Sequence, residues 1–163
     1  SIPAKNQLDI VIEGETILKS VLEIGAIGLS CEMLGSVQAA FNQTMDYIKE
    51  RQQFGTKIGS YQGLQHRAAK LFCEIELCKS IILKALQSID DQDENLSKYA
   101  HLAKAKLGEV LKLTSNEAIQ MHGGIGVTDD VNIGFYLKRA RVIQRLLGDT
   151  NYHLECLANQ KGY

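Results

Sequence analysis

The sequence predicts an all-α protein: an antiparallel four-helix bundle with a short additional helix at its C-terminal end. Three observations carry that prediction. Apolar residues recur at steps of three and four through long segments, the spacing of one helix face. Proline occurs once in 163 residues, at Pro3, and helix interiors exclude proline because it lacks the N–H and clashes with the preceding turn. The stretch Gln120-Met121-His122-Gly123-Gly124-Ile125-Gly126-Val127-Thr128 places three glycines between two such segments and reads as a loop. A chain of this length forms one domain of ordinary size, which buries roughly 70% of its unfolded surface.

Taken in order, Leu8-Asp9-Ile10-Val11-Ile12 looks like a short β-strand. One strand cannot satisfy its own ladder groups, so residues 1–14 are read as a linker or remnant strand of an upstream β-domain, and 15–163 as the helical-bundle domain. The first helix runs from about Thr16 to Arg51 and carries Gly25, Gly28 and Gly35. Each interior glycine costs about 1 kcal/mol relative to alanine. The three would be offset by close approach of other backbones in a crowded bundle, or by a slot for a long substrate. The second helix presents Leu64, Ala68, Leu71, Phe72, Ile75, Cys78, Ile82, Ala85, Leu86 and Ile89 and ends at the polar turn Asp90-Asp91-Gln92-Asp93-Glu94-Asn95. A third presents Tyr99, Ala103, Leu107, Val110, Leu111, Thr114, Ala118 and Met121 and stops at the glycine loop. Thr128 is expected to cap the next helix, with Asp129 and Asp130 in the first turn. The last region, with Phe135, Leu137, Ala140, Ile143, Leu146, Leu147 and Leu154 as its apolar positions, is expected to break at Gly148-Asp149-Thr150 into two helices. Asp149 or Thr150 would cap the second.

Composition narrows the function. With 18 basic and 19 acidic residues, no broad nucleic-acid or anionic-membrane footprint is expected. No apolar run approaches a membrane span, and the N-terminus has no signal-peptide pattern. Cys31, Cys73, Cys78 and Cys156 lack C-x-x-C spacing and are read as buried reduced thiols of a cytoplasmic protein, with no metal site. His66, His101, His122 and His153 show no ligand spacing. The absence of E-x-x-H argues against a di-iron bundle, and no G-x-S-x-G is present.

Two irregular elements remain as candidates. Arg51-Gln52-Gln53-Phe54-Gly55 interrupts the helical pattern. Arg51 can offer a planar charged fork to a phosphate and Phe54 an apolar face to a ring; equally, Arg51 can serve the helix dipole and Phe54 a staple. Gln62 can present an amide to the same ligand or stand as an ordinary surface residue. Gly123, Gly124 and Gly126 exceed the one glycine a helix C-cap needs, so a backbone anion nest is open beside the cap reading. The stretch follows a helix, not a strand, and is therefore no dinucleotide fingerprint.

The run Tyr47-Ile48-Lys49-Glu50-Arg51-Gln52-Gln53-Phe54-Gly55-Thr56-Lys57-Ile58-Gly59-Ser60-Tyr61-Gln62-Gly63-Leu64-Gln65-His66, the glycine stretch and Tyr136-Leu137-Lys138-Arg139-Ala140 together resemble the C-terminal helical domain of the acyl-CoA dehydrogenase flavoproteins. The resemblance covers about Glu13 to Leu157. The tail Leu147-Gly148-Asp149-Thr150-Asn151-Tyr152-His153-Leu154 is more similar to small subunits of heteromeric bacterial members. It implies a parent that performs FAD-dependent α,β-desaturation of an acyl-CoA thioester and passes electrons to an electron-transfer flavoprotein-like acceptor. It also implies FAD contacts from Arg51, Phe54, Gln62, Gln120, Gly123 and Gly124 to a neighbouring subunit's cofactor, in a homo-dimer or tetramer or in a hetero-oligomer with a catalytic subunit.

Two departures stand out. The domains that hold the flavin ring in the family have no counterpart in this sequence. The family's catalytic glutamate falls on Leu147, its alternative place falls on Gly25, and a helix arginine beside the latter is Ala26, so no catalytic residue is assigned. Glu23 is expected to turn away from Gly25, and Asp149 to serve as a cap. The alternative reading is a non-catalytic subunit or an excised bundle acting as a structural and assembly module.

Overall fold

The computed structural model describes Pro3, Asn6 and residues 13–163. The strand expected at Leu8 to Ile12 lies outside the described residues. Among the described residues five helices follow one another: α1 (Gly14–Glu50), α2 (Gln62–Asp90), α3 (Leu96–His122), α4 (Ile133–Ile143) and α5 (Thr150–Gln160). Between α1 and α2 a two-stranded hairpin, β1 (Gln52–Gln53) with β2 (Thr56–Lys57), folds out from the bundle.

Each helix reverses the direction of the one before, except the last. Arg67 pairs with Glu117 and Lys106 with Glu74, so α2 and α3 run antiparallel. Arg139 meets Glu32, and Gln144 donates to the Gly108 carbonyl at 2.7 Å, which sets α4 antiparallel to α1 and α3. α5 continues in the sense of α4, as the Gln160–Ser97 bond at its far end shows. The all-α four-helix bundle with a short extra C-terminal helix is therefore what forms. α1 and α3 make its central pair, flanked by α2 on one side and α4 with α5 on the other.

The core follows the expected periodic positions. Ile27, Met33 and Val37 of α1 pack with Ile75, Cys78, Ile82 and Ala85 of α2 and with Ala103, Leu107, Val110 and Leu111 of α3, closed by Ala140 and Ile143. Burial of such side chains is worth roughly 1.5–3 kcal/mol each before chain entropy is subtracted. A second cluster of Ile48, Leu71 and Met121 ties together the C-terminal ends of α1 and α3 and the start of α2.

Several sequence expectations need correction. Gly28 and Gly35 meet nothing an added Cβ would touch, so the glycine face of α1 is not buried against crossing backbone. The close approaches occur instead at Gly59, whose added Cβ would lie 2.8 Å from the Ile48 carbonyl oxygen, and at Gly108, which lets Thr150 dock on α3. Thr128 does not cap α4, which begins only at Ile133. Its hydroxyl donates to the Ile125 carbonyl at 2.8 Å and closes a short 3-10 turn over Gly123–Val127. Of the cysteines only Cys78 is fully buried, with burial pushing its thiol up to about 11. Cys73 is exposed, and Cys31 and Cys156 are half-buried. Phe72, Leu86, Phe135, Leu146, Leu147 and Leu154 are exposed although they sit on apolar positions of the pattern. Asp149 does cap α5, accepting from the Tyr152 N–H at 3.0 Å.

Candidate functional site

The two irregular elements meet at one end of the bundle. α1 ends at Arg51, whose extended backbone turns the chain out of the helix while its N–H still bonds the Tyr47 carbonyl. Gln52 to Lys57 then form the hairpin, with Gln53 opposite Thr56. Its two-residue loop is Phe54-Gly55, and both residues have positive φ, 54° and 81°. Positive φ at both central positions is the primed turn that matches strand twist, and its preferred first residue is asparagine, not phenylalanine. The ring of Phe54 is 92% exposed at this strained position. Arg51 is also exposed and carries no ion pair among the described residues. The Ile58 N–H donates back to the Arg51 carbonyl at 2.9 Å, and the Gln65 amide donates to the Gly59 carbonyl at 3.0 Å. Gln62, in the first turn of α2, is exposed beside this frame.

The glycine stretch is fixed to the same end by His122, which sequence reasoning did not single out. Its ring stacks on Tyr47 with centroids 4.3 Å apart, and the Tyr47 hydroxyl donates to the His122 carbonyl at 3.3 Å. Its Nδ1 lies 2.7 Å from the Ala118 carbonyl oxygen, so the proton sits on Nδ1 and is donated there. Both residues lie in the motifs of the sequence, and a Tyr/His pair at the ends of two helices was the available signal.

The three glycines have three separate jobs. Gly123 takes φ +66° and gives its N–H to the Gln120 and Ile119 carbonyls, which is helix termination. Gly126 is buried, and an added Cβ would meet Ile119 O and His122 Cβ at 3.0 Å. Gly124 has open space where a Cβ would stand, and the exposed Gln120 lies in the last turn of α3 before it. An exposed cation, an exposed aromatic face, two amides and an uncluttered glycine backbone thus lie at the same end of the bundle. Their donors and faces fit a phosphate-bearing aromatic ligand such as FAD.

At the other end of the bundle, the two places considered for a base turn out to be neighbours. An added Cβ on Gly25 would lie 3.1 Å from Cδ1 of Leu147, so α1 and the loop before α5 touch through an apolar contact. Leu147 itself has φ +56° and is followed by Gly148 at φ +96°. This strained pair is held by its carbonyls. Lys104, 1% exposed, donates from Nζ to Gly148 O at 2.8 Å and to Gln144 O at 3.3 Å, and Nε2 of His153 meets Leu147 O at 2.9 Å. Burial pulls the Lys104 ammonium down to about 8, against the opposing pull of Asp149. Burial pulls His153 down to about 4, with repulsion from His101 and Lys104 adding to it. Among the described residues no three His, Cys, Asp or Glu side chains converge as a metal site, and no helix is long and apolar enough to cross a membrane.

Comparison with known proteins agrees with this architecture. Residues 13–161 match the family model described as acyl-CoA dehydrogenase, C-terminal domain. The short/branched chain specific acyl-CoA dehydrogenase of Rattus norvegicus is 34% identical over 137 residues, covering 84% of this chain and 32% of the rat protein. The caffeyl-CoA reductase-Etf complex subunit CarC of Acetobacterium woodii is 28% identical over 86% of this chain and 37% of its own length. Butyryl-CoA dehydrogenase from Megasphaera elsdenii superposes with a TM-score of 0.91 at 25% identity, over 98% of this chain and 42% of that structure. The chain thus spans about a third to two fifths of the proteins it matches.

Proposed function

The chain belongs to the acyl-CoA dehydrogenase family, as its C-terminal helical domain, and from that premise we propose that it contributes FAD contacts and an assembly surface to an enzyme that desaturates acyl-CoA thioesters. The observation that carries this reading is Phe54: a 92% exposed ring on a left-handed backbone, next to an arginine unpaired among the described residues. Strain of this kind costs on the order of 1–3 kcal/mol and persists where the surroundings or a ligand use it. Nothing inside the described chain uses it.

The roles follow from the chemistry of each group. Arg51 gives charge-assisted hydrogen bonds to a phosphate, and Phe54 covers an aromatic ring. Gln62 and Gln120 present amides, and Gly123 and Gly124 let the cofactor approach their backbone. FAD, when bound, supplies the acceptor for the hydride removed from the acyl chain. Because these groups point outward, the cofactor they serve belongs to a neighbouring subunit, in a homo-dimer or tetramer or beside a catalytic partner. An electron-transfer flavoprotein-like protein is the proposed acceptor, a reading supported by the relative whose name places it in a reductase–Etf complex. Residues 1–14 would then connect to an upstream β-domain, and the unpaired cysteines favour a reducing compartment such as the cytoplasm.

A second reading has its own observation. Leu147 and Gly25 touch each other and neither carries a carboxylate, while Asp149 is engaged as the cap of α5. That favours a family member whose partner supplies the α-proton base, with this chain as the structural subunit. The test for the first reading is Arg51→Ala in the complete assembly. Flavin affinity should fall about 10- to 150-fold, the equivalent of 1.5–3 kcal/mol for a charged hydrogen bond; unchanged flavin retention would overturn it. The second is tested by Leu147→Glu in the same assembly, which should create or raise acyl-CoA-dependent flavin bleaching. Full activity of the unaltered chain without a partner, abolished by Asp149→Asn, would make Asp149 the base instead.

A further inference from the structure

The motif Tyr136-Leu137-Lys138-Arg139-Ala140 lies in α4, and neither the flavin edge nor the contact between Gly25 and Leu147 uses it. α4 buries one side only: Ile133, Ala140 and Ile143 face the bundle and are fully buried. At about 100° per residue, the side turned away from them holds Phe135, Lys138 and Val142. The N–H groups of Gln144 and Arg145 bond back to the Ala140 and Val142 carbonyls at 3.1 Å, which carries the same side one turn further, to Arg145 and Leu146.

That outer side is sorted by chemistry. Phe135, Val142 and Leu146, 57%, 54% and 44% exposed, stand at i, i+7 and i+11 and form an apolar ridge. Lys138, Arg141 and Arg145, all exposed, stand at i, i+3 and i+7 and form a cationic ridge beside it. The edge toward α1 is neutralised, because Arg139 pairs with Glu32 at 2.6 Å. The edge toward α3 is not, because Arg141 donates only to the neutral Asn116 amide, at 3.2 Å. Nζ of Lys138 lies 5.5 Å from the Phe135 ring centroid, so the two ridges adjoin. The sequence from Val131 to Gly148 contains four cations and no acidic residue. Of the four, only Arg139 has a carboxylate partner among the described residues.

This sorting is unfavourable in the chain by itself. Like charges at i, i+3 and i, i+4 repel, and a helix dipole accounts for one cation in the last turn rather than a row of them. Three aligned apolar side chains forgo the gain of burial. A partner that relieves both costs presents an apolar ridge and a row of carboxylates side by side, over about 16 Å from Phe135 to Leu146. Nucleic acid would neutralise the cations but set phosphates against the apolar ridge. A bilayer suits an apolar sector with free cations on both borders, and here one border is already neutralised by Glu32. The chain's own acidic run, Asp91 to Glu94, lies in the turn between α2 and α3 rather than on a helix face, which disfavours a second copy as the partner.

We propose that the outer side of α4 docks an acidic amphipathic helix of a different polypeptide. The partner's apolar ridge lies on Phe135, Val142 and Leu146, and its carboxylates meet Lys138, Arg141 and Arg145. The proposal is independent of the flavin reading, since it uses no residue of that edge.

The test uses the 163-residue chain and a synthetic peptide of roughly 18 residues, long enough to be helical. The peptide carries leucines along one ridge, glutamates along the next, and alanine and glutamine elsewhere. Titration followed by amide NMR should give saturable binding with shifts confined to α4 and the turn after it. The double variant Lys138→Glu, Arg145→Glu should bind this peptide at least tenfold more weakly, and should instead bind the counterpart with lysines in place of the glutamates. Val142→Ser should weaken the glutamate peptide at least threefold. These positions are exposed, and the same spectra establish that each variant is folded. No binding at millimolar peptide, shifts centred outside α4, or unchanged affinity in the folded double variant would each overturn the proposal. So would tighter binding of phosphatidylglycerol vesicles or duplex DNA through the same residues, or self-association of the chain in sedimentation that the double variant abolishes.

Discussion

The two ends of the bundle treat strained backbone in opposite ways. At the hairpin end, Phe54 and Gly55 take positive φ and the Phe54 ring points into solvent, beside an arginine without a partner among the described residues. At the other end, Leu147 and Gly148 take positive φ as well, but their carbonyls are met by His153 and Lys104 from inside the protein. Both loops lie outside regular structure, yet only one is explained by contacts among the described residues. The 144–149 loop is a part of the fold that closes on itself, whereas on the reading proposed above the hairpin end has its stabilising partner elsewhere.

The largest expected effect is at the closed end. Lys104→Ala leaves the Gln144 and Gly148 carbonyls without a donor and opens a hole in the core, while relieving the cost of a buried charge. A net loss of about 3 kcal/mol is expected in urea unfolding. Lys104→Met keeps the volume and separates the two contributions. If that variant were more stable than the parent, the ammonium would cost more than its bonds return and the loop would not be held in the way described.

Acid should find the same end. His153 sits at about 4 in the folded chain against an ordinary 6.5, so the unfolded chain binds more protons between those values. Stability is therefore expected to fall as pH drops from about 6.5 to 4 and to lose nothing further from this group below that. The gap corresponds to about 3 kcal/mol at the most. Thermal melts across this window should show the slope in the parent chain and most of it gone in His153→Gln. A slope unchanged in that variant would move the acid sensitivity to another part of the molecule. Lys104 acts in the same sense at the alkaline side, where stability should gain as pH rises from about 8 toward 10.5.

How much of this was legible beforehand differs between the ends. The helices were legible because Leu71, Ile75, Cys78, Ile82 and Ala85, or Ala103, Leu107, Val110 and Leu111, repeat the period of a helix, and periodicity needs no knowledge of the partner surface. The hairpin end was legible as a place, since glycines and an interrupted pattern mark it, but the turn type was not read from Phe-Gly. At the closed end the break at Gly148 and the Asp149 cap were legible, but the contacts that hold the loop were not. Lys104 looks like a surface lysine within Ala-Lys-Ala-Lys, and only the fold reveals that two carbonyls from a loop forty residues later reach it. The histidines likewise show no spacing, because the 101–153 pair is a tertiary contact between α3 and α5. Thr128 misled because a good capping residue also closes a 3-10 turn, and four residues separate it from the start of α4.

At the open end Arg51→Ala should barely move the stability of the chain, within about 0.5 kcal/mol, since the side chain is exposed and unpaired among the described residues. Its proposed cost is felt only as lost flavin affinity in the complete assembly. A clear loss of stability in the isolated chain would show that Arg51 has an internal partner and would erase the contrast between the two ends.

A modest effect at the same end is the most discriminating. Phe54→Asn places Asn-Gly at the two central positions, the sequence such a turn favours, and removes a bulky residue from φ +54°. The isolated chain should therefore become more stable, by about 0.5–1 kcal/mol, because strain is relieved and no buried contact is lost. The same change should weaken flavin retention in the complete assembly, since the ring is what the cofactor would meet. A gain in stability together with a loss of flavin is the signature of a residue kept for a partner against the preference of its own backbone. A loss of stability instead would mean that Phe54 packs within the chain, and the hairpin end would be no more open than the loop at Leu147.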